Sequence, residues 1–354
     1  MYLTFLMALL VSGGAFAKVK IKLLSSIPSI RSLRVKSSFE LIYPTERHFQ
    51  ADLYEFKCVG RKVSLYRTKK SILSASRLRF KSESLELQEQ NRIYTGDFDL
   101  SCATSEKLQI FNTVDPRVYL ESVVGSESDP DTPFEALKAQ AVLSYTWYLS
   151  HRDRPYFSDS TQDQSYRGEA YRRPLVRQAV REVWGERLIY KGDLARVYYH
   201  SDCGGQTSNL KAFEPKAISP SYLRSQTCPA SAHRKKSAKL SLAQWYRLFE
   251  SENLPNLILV DQAGRPLLWK FEDDRQISGY LLWLKVGQTL GWHLLPGNHY
   301  RIWRDGESII FFSKGVGHGV GLCQKGSQEL AARGKDYKEI LQFYFPGTEV
   351  KGSP

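Results

Sequence analysis

Residues 133–151, PFEALKAQAVLSYTWYLSH, constrain the fold more than any other segment of this 354-residue chain. Thr132 stands where an N-cap belongs, Pro133 takes the first helical position, and Glu135 follows three residues after the cap. These are the letters of a capping box with proline at N1. Ala136, Leu137, Ala139, Ala141, Val142 and Leu143 leave the helix apolar nearly all round. Such a helix is stable when neighbours cover it on every side, so it predicts a buried central element. Lys138 and Gln140 then need partners, because a buried polar group left unpaired costs about 1–3 kcal/mol.

The flanking segments predict an α+β fold of mainly antiparallel strands. Residues 18–105 read as a β-rich N-terminal region, with short strands such as Ile21–Leu24, Phe39–Ile42, Lys62–Tyr66, Arg77–Lys81 and Arg92–Tyr94 between polar turns. Val118–Val124 predicts a strand, followed by a loop from Gly125 to Asp131. Leu194–His200 predicts another strand, ending in a tight turn at Ser201–Gly205. Residues 229–245 read as a basic loop leading into a helix near Leu240–Phe249. Further strands are expected at Tyr280–Val286, Tyr300–Trp303 and Ser308–Phe312. C-terminal helices are expected near Cys323–Arg333, closed by Gly334, and from Asp336, with Glu339 three residues on and Tyr337, Ile340, Leu341 and Tyr344 on one face. No internal repeat is visible.

The compartment follows from the N-terminus. Residues 1–17, MYLTFLMALLVSGGAFA, carry no charged side chain and end in a small-x-small pattern, which predicts a signal peptide and an exported protein of the periplasm or cell wall. This is the one stretch apolar enough to meet a membrane, so a multi-span protein is excluded, and membrane contact is expected only through this segment if it is uncleaved. With 50 Lys+Arg against 37 Asp+Glu the chain is at +13, which asks for an anionic partner. Export removes weight from nucleic acid, which is not expected as a partner. In an oxidising compartment Cys58–Cys102 and Cys203–Cys228 are reasonable bridges by proximity, leaving Cys323 free, although five cysteines forming two pairs allow many arrangements.

Three places carry chemistry. In GVGHGVG, residues 315–321, alternating glycines let backbone approach a ligand and hold His318 without bulky neighbours. A structural turn with a packing histidine is the plainer alternative. Glu127 lies on the loop before the buried helix, where a rigid scaffold can present a carboxylate, with Glu121 and Asp129 as competitors. His200-Ser-Asp-Cys203 admits metal ligation, a thiol nucleophile, or a strand end with a structural cysteine. His200 and Cys203 supply only two of the donors zinc takes, with no third at diagnostic spacing, so no cofactor is expected.

Together the motifs resemble a known family. Tyr119-Leu-Glu-Ser-Val-Val-Gly-Ser-Glu127, then Glu135–Val142 (EALKAQAV), is similar to YLxGVVxxE(MP)…EALKAQAV. His200-Ser-Asp-Cys-Gly-Gly-Gln-Thr207 is similar to FHSxxGGxT. Gly315 to Gly326 through Tyr344-Phe-Pro-Gly-Thr348 is similar to GxGHGVGMSQxGA…YYPGT. This is the sporulation stage II protein D family, which includes amidase enhancers of the LytB type. The resemblance covers residues 106–350 as one peptidoglycan-acting domain.

The resemblance implies a lytic transglycosylase that cleaves the β-1,4 bond between N-acetylmuramic acid and N-acetylglucosamine of peptide-stripped glycan strands, leaving a 1,6-anhydro end. It places the catalytic glutamate on Glu127. It implies substrate contacts from Lys138, Gln140, His200, Gly204, Gly205, Thr207, Gly317, His318, Gly319, Gln324 and Tyr344. The family's Met-Pro after the glutamate is Ser128-Asp129 here, and its tryptophan five residues on is Thr132. The alternative is a non-catalytic wall-binding protein that enhances an amidase.

Overall fold

The computed structural model describes residues 17–104, 106–230 and 233–352. The expected signal segment, apart from Ala17, lies outside the described residues. Packing divides the chain into two compact units: residues 17–126 with 153–172, and residues 127–152 with 173–352. Among the described residues no helix is long and apolar enough to cross a membrane.

The first unit holds β1 (Val19–Lys22), β2 (Ser32–Tyr43), β3 (Arg47–Val59), β4 (Lys62–Arg67), β5 (Lys70–Ala75), β6 (Arg77–Leu87), β7 (Arg92–Thr104), β8 (Lys107–Val114), helix α1 (Pro116–Ser126) and β9 (Phe157–Ser158). They form one sheet in the order β5-β4-β3-β2-β6-β7-β8-β1-β9. All its pairs are antiparallel except β1 with β9. Strict in–out alternation along β2 sends Leu33, Val35, Phe39 and Leu41 to one buried face. There Phe80 stacks on Phe56 and Phe98 at 5.6 and 5.3 Å. A disulfide joins Cys58 on β3 to Cys102 on β7 with Cα atoms 5.9 Å apart. In a flat sheet strands three places apart lie about 14 Å apart, so the sheet curls to bring them together. The boundary expected at residue 105 falls between β7 and β8, which pair as neighbours within this unit.

Val118–Val124 is not a strand; it is the body of α1. The signal that decides it is Asp115-Pro116. Asp115 Oδ1 accepts the Arg117 N–H at 2.8 Å, as an N-cap does, and Pro116 takes the first position. These local terminus preferences outweigh the valines.

The second unit holds α2 (Phe134–His151), α3 (Pro174–Glu182), β10 (Arg187–Tyr190), β11 (Asp193–Leu194), β12 (Tyr199–His200), β13 (Lys235–Ser241), α4 (Leu242–Phe249), β14 (Asn256–Val260), β15 (Pro266–Lys270), β16 (Gln276–Ser278), α5 (Gly279–Leu290), β17 (His299–Asp305), β18 (Ser308–Lys314), β19 (Leu322–Cys323), α6 (Gln324–Ala332), α7 (Tyr337–Tyr344) and β20 (Glu349–Lys351). Helix α2 is packed by α3, α6, α7 and β10, as its all-round apolar surface requires. Its buried Thr146 hydroxyl is satisfied twice, donating to the Val142 carbonyl and accepting the Leu188 N–H. A second apolar cluster gathers Trp245, Phe249, Trp269, Trp283, Tyr300 and Phe311 from α4, α5 and the strands β15, β17 and β18.

The fold is therefore α+β, mainly antiparallel, with a buried central helix, C-terminal helices and a β-rich N-terminal region. Three further local expectations are corrected. The capping box at Thr132 does not form: Pro133 precedes α2 with no side-chain cap, and Glu135 Oε2 accepts the Tyr337 N–H at the start of α7 instead. Tyr280–Val286 lies in helix α5, because the Ser278 hydroxyl caps it and Leu282, Trp283 and Val286 recur at helical spacing on the buried side. Leu194–His200 is not continuous: β11 and β12 occupy only its two ends.

Candidate active site

Glu127 follows the last residue of α1 and opens the segment that leads into α2. It is half-buried. Three side chains of its own unit hold this segment. Gln324 Nε2, at the start of α6, donates to the Glu127 carbonyl at 2.8 Å and lies 3.4 Å from Gln140 Oε1 on α2. Arg173 Nη2, just before α3, donates to the carbonyls of Ser128 and Asp129 at 3.2 and 3.3 Å. Gln328 Nε2 on α6 donates to the Thr132 hydroxyl at 3.2 Å. A loop without regular structure is thereby fixed through its own backbone, which is how a fold gives one carboxylate a defined position. Gln140 is 2% exposed and extends the line to Ser144 at 3.3 Å.

The competing carboxylates are placed differently. Glu121 is buried on α1 and bound by Arg172, whose Nε and Nη2 reach its Oε2 at 2.8 and 2.7 Å. Asp129 is exposed.

Parallel pairing of β12 with β19 sets His200 beside Cys323 and brings the glycine-rich segment against the His200 turn. Gly317 and Gly319 have φ of +96° and +83°. A Cβ on Gly317 would meet His200 Cβ at 3.0 Å, and one on Gly319 would lie 2.6 Å from the Arg265 guanidinium. Only glycine allows both the backbone shape and the approach. The Val320 N–H donates to His318 Nδ1 at 3.2 Å, and Nε2 donates to the Tyr199 carbonyl at 3.0 Å. The imidazole is thus neutral with its proton on Nε2. Burial, the largest cause, pushes its pKa down to about 4.

Other expected residues sit elsewhere. Lys138 pairs with Glu135 at 2.7 Å and faces Glu182 at 3.7 Å, with its ammonium over the Tyr337 ring. Gly204, at φ +72°, donates its N–H to Asp202, and Gly205, at φ +113°, accepts from the Cys228 N–H. Thr207 Oγ1 accepts the Gln226 N–H at 2.8 Å. Tyr344 is 2% exposed, and its hydroxyl is so close to Gly326 that a Cβ there would meet it at 2.1 Å. The structure thus gathers Glu127, Gln140 and Gln324 in one place. His200, Gly317, His318 and Gly319 form a second group, and Lys138 is committed to its ion pairs.

The expected Cys203–Cys228 bridge is corrected. Cys203, Cys228 and Cys323 are all free and buried, clustered with Cys228 Sγ 3.9 Å from Cys323 Sγ. Two residues escaped the sequence reading. Asp202 is buried and accepts from Gly204, Arg234 and His233. Arg265 is 1% exposed and donates to the carbonyls of Cys203 and Gln206. Asp202 was visible inside the His200–Cys203 motif. Arg265 carries no local signal.

A sequence model described as stage II sporulation protein matches residues 104–190, which include Glu127 and α2. The stage II sporulation protein D of Bacillus subtilis is 26% identical over 258 residues, covering 66% of this chain and 73% of that protein. An uncharacterized protein of Brachyspira hyodysenteriae is 30% identical over 262 residues, 70% of this chain and 69% of the other. The chain belongs to the SpoIID family. A protein named amidase enhancer from Bacillus subtilis is also similar, at 24% over 285 residues, 65% of this chain and 40% of that longer one. In this SpoIID chain the segment after Glu127 is Ser128-Asp129, and its carbonyls are the atoms that Arg173 holds.

Proposed function

We propose that this protein is an exported peptidoglycan lytic transglycosylase, acting on glycan strands in the periplasm or cell wall. It cleaves the MurNAc-β-1,4-GlcNAc bond of peptide-stripped strands and leaves 1,6-anhydro-MurNAc. The observation that carries this reading is the fixing of Glu127 by Gln324, itself backed by Gln140, in a SpoIID chain. Glu127 donates a proton to the leaving 4-oxygen. The resulting carboxylate then takes the proton of the muramoyl 6-hydroxyl as that oxygen attacks C1. One carboxyl therefore serves both half-steps, and no second acid is needed to activate water. Glu121, consumed by Arg172, fits that single-acid scheme. A chain at +13 suits an acidic polymer, and stripped strands expose lactyl carboxylates.

The test is digestion of peptide-stripped strands by the mature protein and its Glu127→Gln variant, with products weighed by mass spectrometry. Anhydro products from the wild type and a loss of at least a thousandfold in the variant are expected. Equal release by both, or none by either, overturns the reading.

The similarity to a protein named amidase enhancer favours one second reading: a wall-binding protein that stimulates a cell-wall amidase. It predicts wall binding and amidase stimulation that Glu127→Gln leaves intact.

A further inference from the structure

The three-stranded sheet β13-β18-β17 has two faces of opposite character. Its inner face carries Leu240, Ile309, Phe311 and Tyr300 into the apolar cluster shared with α4 and α5. Side chains alternate along a strand, so the register fixes the outer face row by row. Lys239, Ile310 and Trp303 stand opposite one another in one row. Phe312 and Arg301 share the next row, and Lys235 and Lys314 the one after. Trp303 is 46% exposed, Ile310 and Phe312 are half-buried, and all four cations are exposed.

The outer face thus has an apolar, aromatic middle inside a cationic rim. Asp305 is its one carboxylate among the described residues, against Lys235, Lys239, Arg301 and Lys314. Elsewhere exposed cations are neutralised, as Arg77 is by Asp99, Arg34 by Glu89 and Lys335 by Glu339. No ion pair among the described residues uses any of the four rim cations. At about 3.3 Å per residue Lys235 and Lys239 stand about 13 Å apart, so the positive charge is spread along the strand. An exposed indole offers an apolar, electron-rich surface to the C–H groups on one side of a sugar ring. Lysines beside it act as point charges for carboxylates. Lys314 ends β18, packs beside Gly204 and leads directly into Gly315, so the face runs up to the glycine-rich segment.

We propose that this face binds the glycan strand itself, with Trp303 stacked on a sugar ring and the four cations pairing with lactyl carboxylates of stripped muramic acid. These residues are distinct from those that hold the Glu127 segment, so the face grips the polymer and the carboxylate cuts it. The identity of the ligand rests on the transglycosylase reading; the face rests on register, exposure and charge.

The test measures binding of the Glu127→Gln protein, which leaves strands uncut, to purified peptide-stripped glycan strands. On that background Lys235→Gln/Lys239→Gln/Arg301→Gln should weaken binding at least tenfold and flatten its dependence on salt. Trp303→Ala should weaken it at least fivefold, with Trp303→Phe recovering most of the loss. Lys62→Gln/Lys70→Gln, which removes charge from the first unit, should stay within twofold. Amidating the lactyl carboxylates of the strands should reproduce the triple variant's loss and leave that variant's own binding unchanged. Should Trp303→Ala fail to fold, the triple variant, altered only at exposed side chains, and the amidated strands decide the matter. Rim and Trp303 variants that bind within twofold of the parent, or a parent that does not bind strands, overturn the proposal. So does tighter binding to single-stranded DNA, which also suits aromatic and basic surfaces, or to phosphatidylglycerol vesicles. The transglycosylase reading fails separately, on digestion: a face that binds strands in a protein releasing no anhydro product keeps this proposal and removes that one.

Discussion

Gln324 Nε2 donates to the main-chain carbonyl of Glu127 across 197 residues of sequence. The bond holds the backbone of the carboxylate-bearing residue. Gln324→Ala removes this bond and the Gln140 contact. At about 1–2 kcal/mol for a semi-buried hydrogen bond, anhydro-product release should fall about tenfold while the thermal midpoint moves by only a few degrees. An unchanged rate in a folded variant would show that the carbonyl needs no such anchor.

Gly319 and Gly334 have nearly the same backbone, φ +83° and +82°, in opposite surroundings. A Cβ at 319 would strike the buried Arg265 guanidinium, whereas at 334 nothing lies within 4 Å. Gly334→Ala should cost about 1 kcal/mol, the backbone penalty alone. Gly319→Ala should cost at least about 2 kcal/mol more, because Arg265 cannot leave its site cheaply. Paired thermal melts check this; equal losses would mean that Arg265 yields freely.

The Cys58–Cys102 bridge closes 44 residues of chain. Restriction of the unfolded ensemble by a loop of that length is worth about 4 kcal/mol. The double Cys58→Ser/Cys102→Ser variant should therefore unfold at distinctly lower denaturant, and reductant should lower the wild type to match it. A reductant-insensitive midpoint in the wild type would contradict this.

His299 on β17 has a buried Nδ1 without a partner. Burial first, then the positive charges of Arg265 and Lys314, pushes its pKa down to about 4, with Asp261 opposing and Arg301 adding a smaller push. The unfolded chain holds the histidine near 6.5, so between these values it binds more protons than the folded state. The contribution is therefore fully present above pH 6.5 and is lost as pH falls toward 4. Stability measured from pH 7 to 4.5 should decline less steeply in His299→Gln, with His318 leaving part of the slope. Identical slopes would remove His299 as a cause.

Helix α2 could be read from its letters because an apolar surface on all sides has one stable fate. The start of α7 was equally legible: Asp336 and Glu339 form both bonds of their capping box. Thr132 and Glu135 carry the same pattern and form neither, because Glu135 is taken by the Tyr337 N–H and Lys138. Local signals thus name what a side chain can do, and tertiary neighbours choose. The cysteine cluster was hidden for a related reason. Its members stand 95 and 120 residues from Cys323, so no spacing rule could join them, and pairing by proximity chose Cys203 with Cys228. Arg265 left no trace in the sequence, since burial of a lone arginine depends on carbonyls from distant turns.

The chain leaves its first unit after Ser126, returns at Asp153, and leaves again after Arg172. No single junction separates the two units, so neither can be traded between relatives by one crossover in the gene. A productive exchange must carry residues 17–126 and 153–172 together or move the whole chain. The β-rich unit and the unit bearing Glu127 are therefore interleaved along the gene, and the two pieces of the first must change hands together.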